Sequence, residues 1–251
     1  MNKPDYSGYS EIELTEDEIQ KILFEKRKEK AGKIRLAEYT KKLSEEPIIY
    51  LPKKDEYLKG FEQKSGLLID NYNEKIINNL CGYFSGEESK EYDLKKGILL
   101  FGGVGCGKTS LMTWFKVNII NPYLVISCRQ VSYDYSEHGS ESIKRYNGLI
   151  KSNSYERPNV QFGVCFDDLG TEDDKKHFGN QSNVMADILL NRYDKLKIGD
   201  KSYLQAKTHI TTNLSRKEII EKYGSRVESR LDEMFNIFMF DKTNPDRRKL
   251  K

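Results

Sequence analysis

The stretch GGVGCGKTS, residues 102–110, contains four glycines and follows directly after the apolar run GILLF. Glycine lets the backbone turn tightly and bring its N–H groups close to a ligand, because no Cβ stands in the way. The residues that follow, KTSLMTWFKV, are typical of a helix, and the N-terminus of a helix attracts anions. A strand, a glycine-rich turn and a helix in this order therefore predict a cradle for phosphate groups, with Lys108 beside it.

The same stretch matches the Walker A pattern G-x-x-x-x-G-K-[ST]. In that pattern the lysine reaches the β- and γ-phosphates of a nucleoside triphosphate, and the hydroxyl of the next residue binds Mg²⁺. The predicted cofactors are therefore ATP and Mg²⁺, with Thr109 as one metal ligand. The predicted nucleotide-binding residues are consecutive: Gly102, Gly103, Val104, Gly105, Cys106, Gly107, Lys108, Thr109 and Ser110.

A second apolar run, VQFGVCFDD, ends in two acidic residues, Asp167 and Asp168. This is the layout of a Walker B element, in which the first carboxylate holds Mg²⁺ and the second orients the attacking water. The alternative is a strand that merely ends in an acidic turn, which does not explain why the run follows the glycine cluster at a suitable distance. We therefore predict Asp167 as a metal ligand and Asp168 as a catalytic residue of ATP hydrolysis.

From about residue 66 onwards, short apolar runs alternate with helical stretches. The runs are KGILLFGG, YLVISCRQV, VQFGVCFDD, KTHITTN and IFMFD. They are rich in branched and aromatic residues, as buried strands are. Strands that alternate with helices predict an α/β fold in which helices cover both faces of a parallel sheet.

The first 65 residues have a different pattern. A capping box from Thr15 to Glu18 predicts a helix that begins near Glu16, and Gly32 interrupts its apolar pattern. The stretch EEPIIYLPKKDE, with two prolines, predicts a linker near residues 45–65.

This N-terminal part is also basic. Residues 21–42 hold nine basic and three acidic residues, a local net charge of +6. The patch is either a solvated helix face or a docking arm for a protein or nucleic acid. We predict two parts: a helical, basic extension with its linker over residues 1–65, and an ATPase domain over residues 66–251.

Composition excludes several other classes of protein. The 42 Lys and Arg residues against 39 Asp and Glu leave a net charge of +3, which is too small to indicate a nucleic-acid partner by itself. The four cysteines are far apart and form no CxxC pair, which argues against a zinc site and a disulfide-stapled secreted fold. No apolar run approaches the roughly 18 residues of a membrane span. We therefore predict a cytoplasmic protein with no membrane anchor.

Two further stretches carry polar residues with predicted roles. The run HITTN ends in Asn213. We expect this residue to lie beside the strands that carry the Walker A and Walker B residues, where its amide would hold the attacking water. A capping box from Ser215 to Glu218 predicts that a helix follows at once.

The stretch YGSRVESRLDEMF predicts another helix, with a capping box from Ser225 to Glu228. Arg226 and Arg230 lie four residues apart and therefore project from one face. They are either surface arginines paired with Glu233 and its neighbours, or guanidinium groups offered to the ATP of an adjacent subunit.

Four stretches together resemble the DnaC-type helicase loaders and the similar IstB-type transposition ATPases of the AAA+ class: GGVGCGKTSL, CFDDLG, ITTNLS and YGSRVESRLDEMFNIF. The resemblance covers about residues 66–250 and implies a P-loop NTPase fold with five parallel strands. It implies ATP hydrolysis with Asn213 as sensor 1, Arg230 as the arginine finger and Arg226 beside it. Asp168 departs from the Glu of many AAA+ ATPases, which predicts slower hydrolysis.

The resemblance also implies partners. These are a replicative helicase, single-stranded DNA, and further copies of the chain in a ring or spiral when ATP is bound. Because the chain stops ten residues after IFMFD, no C-terminal helical lid is expected. The first 60 residues carry no such likeness, so a transposase, as in the IstB type, remains the alternative partner.

Two other functions stay open at this stage. A small-molecule kinase uses the same phosphate cradle, but it leaves ITTNLS and the paired arginines without a role. A switch that binds ATP with negligible turnover is consistent with the short side chain of Asp168.

Overall fold

The computed structural model describes residues 14–45, 53–118, 120–147, 150–151, 161–172, 176–177, 180–181, 183–199, 206–241 and 243–249. The described elements fall into two compact units. The first unit holds helix α1 (Glu16–Glu45), and the second holds every other element. Within the described ranges, no helix is long and apolar enough to cross a membrane.

Helix α1 begins where the sequence predicts. The backbone N–H of Thr15 donates to the Glu18 carboxylate at 2.9 Å, and the N–H of Glu18 donates to the Thr15 hydroxyl at 3.4 Å, so the capping box is confirmed. Gly32 does not interrupt the helix, since one glycine costs a helix only about 1 kcal/mol. Several large apolar side chains of α1 are exposed: Ile19, Ile22, Leu23, Phe24 and Ile34.

The second unit combines eight described α-helices with eight described strands. The helices are α2 (Lys54–Lys64), α3 (Glu74–Ser85), α4 (Lys108–Phe115), α5 (Cys128–His138), α6 (Ser140–Asn147), α7 (Val184–Lys197), α8 (Arg216–Tyr223) and α9 (Ser225–Met234), followed by a 3₁₀ helix at Arg247–Lys249. The strands are β1 (Gly97–Phe101), β2 (Tyr123–Ser127), β3 (Ile150–Lys151), β4 (Gln161–Leu169), β5 (Lys176–His177), β6 (Asn180–Gln181), β7 (Thr208–Thr212) and β8 (Phe235–Met239).

Five of these strands form a parallel sheet in the order β2-β4-β7-β1-β8. They are the five runs that the sequence predicts as strands, so the α/β fold with a five-stranded parallel sheet is confirmed. Strand β3 adds a short antiparallel pairing to β4, and β5 pairs with β6 apart from the main sheet. The predicted second run is shorter than expected, because its last residues, CRQV, begin α5.

The central strand β1 alternates between two cores, as neighbouring residues of a strand must. Ile98 and Leu100 pack in one core with residues of α2, α3 and α4. Leu99 and Phe101 pack in the other with residues of α5, α6, α7, α8 and α9. Helices therefore cover both faces of the sheet.

Helix α2 lies where the sequence predicts a linker. Phe61 is fully buried, and its ring stacks on Phe115 of α4 with centroids 6.4 Å apart. The ring of Trp114 meets Phe61 edge-on at 5.8 Å. The described part of the predicted linker is therefore packed on the sheet unit, because one aromatic anchor outweighs the charged composition around it.

His209 of β7 is a fully buried imidazole in the middle of the sheet. Its Nδ1 accepts the backbone N–H of Ile98 at 3.0 Å, and its Nε2 has no hydrogen-bond partner among the described residues. The ring of Tyr123 lies 4.6 Å away, between centroids. Burial, with the nearby charges of Lys207 and Arg192, lowers the pKa of His209 to about 3.

We expect this imidazole to make the sheet unit less stable in mild acid. The unfolded chain takes up a proton near the ordinary pKa of 6.5, whereas the folded chain does not do so until the pH approaches 3. The contribution of the neutral His209 to the free energy of unfolding is therefore fully present above about pH 6.5. It is lost as the pH falls towards 3, with a loss of about 2 kcal/mol at pH 5. Urea unfolding at pH 7 and pH 5, followed by tryptophan fluorescence, measures this loss.

The matched variant is His209→Asn, in which the amide oxygen replaces Nδ1 as the acceptor. We expect it to be less stable at both pH values but to lose about 2 kcal/mol less than the natural chain between them. An equal acid-induced loss in both proteins would show that other groups titrate.

Candidate nucleotide site

Three neighbouring parallel strands, β4, β7 and β1, bring the predicted site residues to one end of the sheet. Ligands of open parallel sheets bind at the carboxyl ends of the strands. The glycine-rich loop follows β1, the two aspartates lie just before the last residue of β4, and Asn213 follows β7. The sheet topology therefore explains why residues more than 100 positions apart meet here.

The loop between β1 and α4 has the backbone that the sequence requires. Gly105 and Gly107 have φ angles of +80° and +103°, in the region that residues with a Cβ avoid. Lys108 then begins α4 with its side chain turned inwards, and the residue is only 5% exposed.

The amine of Lys108 is surrounded by uncharged oxygen atoms. Its Nζ donates to the carbonyl oxygens of Gly102 at 2.8 Å and Gly103 at 3.0 Å, and to Oδ1 of Asn213 at 2.5 Å. Among the described residues it has no ion pair, although a buried charge normally requires one. The site therefore offers a positive charge to an anionic ligand.

Beside the lysine, two hydroxyl groups converge on one carboxylate. The Thr109 hydroxyl donates to Asp167 at 2.9 and 3.1 Å, to Oδ1 and Oδ2, and the Thr211 hydroxyl donates to Oδ1 at 2.7 Å. Mg²⁺ prefers such oxygen ligands, and it usually takes only one or two carboxylates and completes its shell with water and phosphate. The described ranges contain no cluster of three or more His, Cys, Asp or Glu residues that would form an all-protein metal site. Thr109 and Asp167 therefore fit Mg²⁺ that is shared with a phosphate.

Asp168 has a strained backbone. Its φ angle of +56° is the only positive value at a described residue other than glycine, and the β4–β7 register is irregular between Phe166 and Leu169. The backbone N–H of Asp168 donates to the Thr211 hydroxyl at 2.9 Å, which holds this turn. Non-glycine residues in this region cost about 1–3 kcal/mol and occur preferentially at functional sites.

The charge of Asp168 is also disfavoured. Burial and the neighbouring Asp167 raise the pKa of its carboxyl, while Lys108, Arg129 and Arg248 partly oppose that rise. A carboxylate with a raised pKa accepts a proton more readily, which is what activation of a water molecule requires.

Thr211 is a site residue that the sequence prediction omits. Its hydroxyl is shared by Asp167 and the backbone of Asp168, so it fixes both aspartates to β7. The signal in the sequence was a threonine inside a run that is predicted to be a buried strand, since a buried hydroxyl needs a partner; the structure shows Thr211 fully buried.

The remaining loop residues have different surroundings. Val104 is 61% exposed, whereas Cys106 is buried with its Sγ 3.8 Å from the Lys108 amine. Ser110 lines a cleft of about 540 Å³ between α4 and the segment that follows α2. Leu67 and Trp114 form apolar walls of this cleft, and its volume lies within the range of roughly 300–1,000 Å³ that is typical of small-molecule sites.

The structure does not bring Arg226 and Arg230 into the loop. The guanidinium of Arg230 lies 4.5 Å from the ring centroid of Tyr193, and its Nη1 donates to Glu233 at 3.0 Å. Arg226 is exposed and has no ion pair among the described residues. In this chain Arg230 thus has the contacts of a surface arginine, and Arg226 points to solvent.

One predicted feature of this region is wrong. Ser225 and Glu228 form no capping box, because Gly224 is the N-cap residue and Ser225 already belongs to the helix. The Glu228 carboxylate instead accepts from Arg216 at 2.7 Å. The capping box from Ser215 to Glu218 at the start of α8 is confirmed.

No protein-family model matches this chain, and no curated protein sequence matches it. Among solved structures, the chain is similar to the crystal structure of DnaI, with 20% sequence identity and a TM-score of 0.47, over 72% of this chain and 87% of that one. It is also similar to AMPPCP-bound DnaA from Aquifex aeolicus, with 16% identity and a TM-score of 0.44, over 73% of this chain and 51% of that one. At these values, the likeness does not assign a ligand or an activity to this chain.

Proposed function

We propose that this chain is an AAA+ ATPase that binds ATP and Mg²⁺ at residues 102–110 and hydrolyses the bound ATP. The observation that carries the proposal is the buried amine of Lys108, which lacks an ion pair in the described chain and lies beside the Thr109–Asp167 pair. The phosphate groups of a nucleoside triphosphate supply the anionic partner that the lysine amine lacks. The Walker A sequence and the positive φ angles of its glycines support the same conclusion.

Each residue then has a role in hydrolysis. Thr109 and Asp167 hold Mg²⁺, which when bound neutralises phosphate charge. Asp168 accepts the proton of the attacking water, and Asn213 orients that water between the end of β7 and the phosphates. Arg230, with Arg226 beside it, acts on the ATP of a neighbouring copy of the chain.

The nucleoside part of ATP occupies the cleft beside α4. This cleft starts at Thr109 and Ser110, so it adjoins the phosphate loop. Trp114 lines it and is the only tryptophan of the chain. A base held against an aromatic ring changes its fluorescence environment, so this residue is a natural reporter of binding.

The finer role that we propose is that of a DnaC-type loader, which places a replicative helicase on single-stranded DNA. It rests on the order of the four motifs. Residues 1–65 are the docking part, in which α2 packs on the sheet unit, and residues 66–251 are the ATPase domain that assembles with further copies when ATP binds. A targeting ATPase of the IstB type, with a transposase as its partner, is the alternative. Capture of the full chain by a helicase, and not by a transposase, would support the loader role, and the reverse result would overturn it.

Titration of the full chain with ATP and Mg²⁺ tests the activity. We expect the fluorescence of Trp114 to change with saturation, and phosphate to be released in steady state at a rate that single-stranded DNA increases. In Asp167→Asn the effect of Mg²⁺ on ATP affinity should be largely lost, because the neutral amide is a poor ligand for a hard cation.

Three outcomes separate the alternatives. No signal and no heat of binding with well-folded protein would overturn the ATP site. Binding without phosphate release, with or without DNA, would leave a switch that does not turn over. Transfer of phosphate to a small acceptor would indicate a kinase.

A further inference from the structure

The segment that follows β8, residues 243–249, lies along the phosphate loop. The backbone N–H of Arg247 donates to the carbonyl oxygen of Gly105 at 3.0 Å. Its guanidinium forms two bonds of 2.9 Å with the carboxylate of Asp70 and one of 3.2 Å with the carbonyl oxygen of Leu68. The segment is therefore fixed both to the loop and to the chain before α3.

This anchoring places a carboxylate directly on the loop. A Cβ on Gly105 would lie only 1.8 Å from Oδ1 of Asp246, so the carboxylate touches the backbone of that glycine. Gly105 belongs to the stretch whose N–H groups receive phosphate oxygens in the Walker A pattern. The carboxylate of Asp246 thus lies against a loop whose N–H groups are expected to bind anionic phosphate groups.

Arg248 holds Asp246 in this position. Its Nε and Nη2 donate to the two carboxylate oxygens at 3.0 and 3.2 Å, and its backbone N–H donates to Oδ1 at 3.1 Å. The charge of Arg248 also opposes the rise in the pKa of the Asp168 carboxyl. Three hydrogen bonds from Arg248 therefore fix the Asp246 carboxylate where it touches the loop.

We propose that Asp246 is a built-in competitor of ATP, so that the segment of residues 243–249 acts as a latch on the phosphate loop. This inference rests on the proposed function, because it assumes that phosphates bind along residues 102–110. Two negative groups cannot share the loop without repulsion. ATP must displace the Asp246 carboxylate to bind. The latch therefore lowers the affinity of the chain for nucleotide.

The test compares two variants that each remove one negative charge from the chain after β8, one on the latch segment and one just before it. In Asp246→Asn the amide oxygen still caps the 3₁₀ helix, but the negative charge on the loop is lost. In the control, Asp241→Asn, the affected carboxylate is exposed and bonds to Thr243. The affinity of the full chain for ATP with Mg²⁺ is measured by Trp114 fluorescence and by calorimetry.

At 50 mM salt we expect Asp246→Asn to bind ATP on the order of tenfold more tightly than the natural chain, and Asp241→Asn to bind it equally. At 0.5 M salt the difference should shrink to about two- or threefold, because salt screens a repulsion between partly exposed charges. A second variant, Asp246→Ser, removes the charge with a smaller capping side chain and should reproduce the gain.

Equal or weaker binding by Asp246→Asn and Asp246→Ser would overturn the latch. The same gain in Asp241→Asn would also overturn it, since net charge alone would then explain the effect. These results are distinct from failure of the proposed function, in which the natural chain and all three variants would bind no ATP at all.

Discussion

Replacement of Lys108 by methionine is expected to remove ATP binding from this chain at ordinary nucleotide concentrations. The amine is the only fixed cation of residues 102–110, and it lies buried among neutral oxygen atoms that do not compensate its charge. Truncation of one partner of a buried, hydrogen-bonded charge pair typically costs about 2–5 kcal/mol, which corresponds to roughly 30-fold to several thousand-fold weaker binding. Trp114 fluorescence and calorimetry measure this change.

Methionine is preferred to alanine because it retains most of the buried, unbranched stem and so limits the cavity left behind. The control is Lys116→Ala, which removes a lysine from the exposed position just after α4. We expect this variant to bind ATP as the natural chain does. Undiminished turnover in Lys108→Met, with an unchanged melting temperature, would refute the assigned cradle.

The sequence predicts the features that depend on residues close together in the chain. The glycine cluster requires positive φ angles, and Gly105 and Gly107 have them. Five apolar runs between helical stretches leave few arrangements other than a covered parallel sheet. Because carboxyl ends of parallel strands share one edge, the meeting of Lys108, Asp167 and Asn213 also follows from the pattern.

The features that the sequence does not predict depend on distant partners. The burial of α2 is due largely to Phe61, whose neighbours on α4 are more than 50 residues away in the chain. Arg247 reaches Asp70 across 177 positions, and no local pattern links two such residues. The fold therefore follows from periodicity, whereas the walls of the site follow from long-range contacts.

Replacement of Arg230 by alanine is expected to leave ATP affinity unchanged but to suppress turnover in the assembled state. An arginine supplied to a neighbouring active site contributes about 10³–10⁵ in rate. In the single chain, Arg230 lies on Tyr193 and pairs with Glu233, so it must leave both partners to reach another subunit. Turnover measured against protein concentration, with single-stranded DNA present, should lose its concentration-dependent part.

A purely structural role of Arg230 gives a different result. Loss of its contacts with Tyr193 and Glu233 would then lower the melting temperature and reduce turnover by the same fraction at every protein concentration. Arg226→Ala is the matched variant, since it removes an exposed arginine one turn earlier on α9. If the concentration-dependent turnover vanishes in Arg226→Ala and survives in Arg230→Ala, Arg226 is the arginine finger. The physical reason would be that Arg226 has no ion pair in the described chain to break, so it reaches the neighbouring ATP at the smaller cost in free energy.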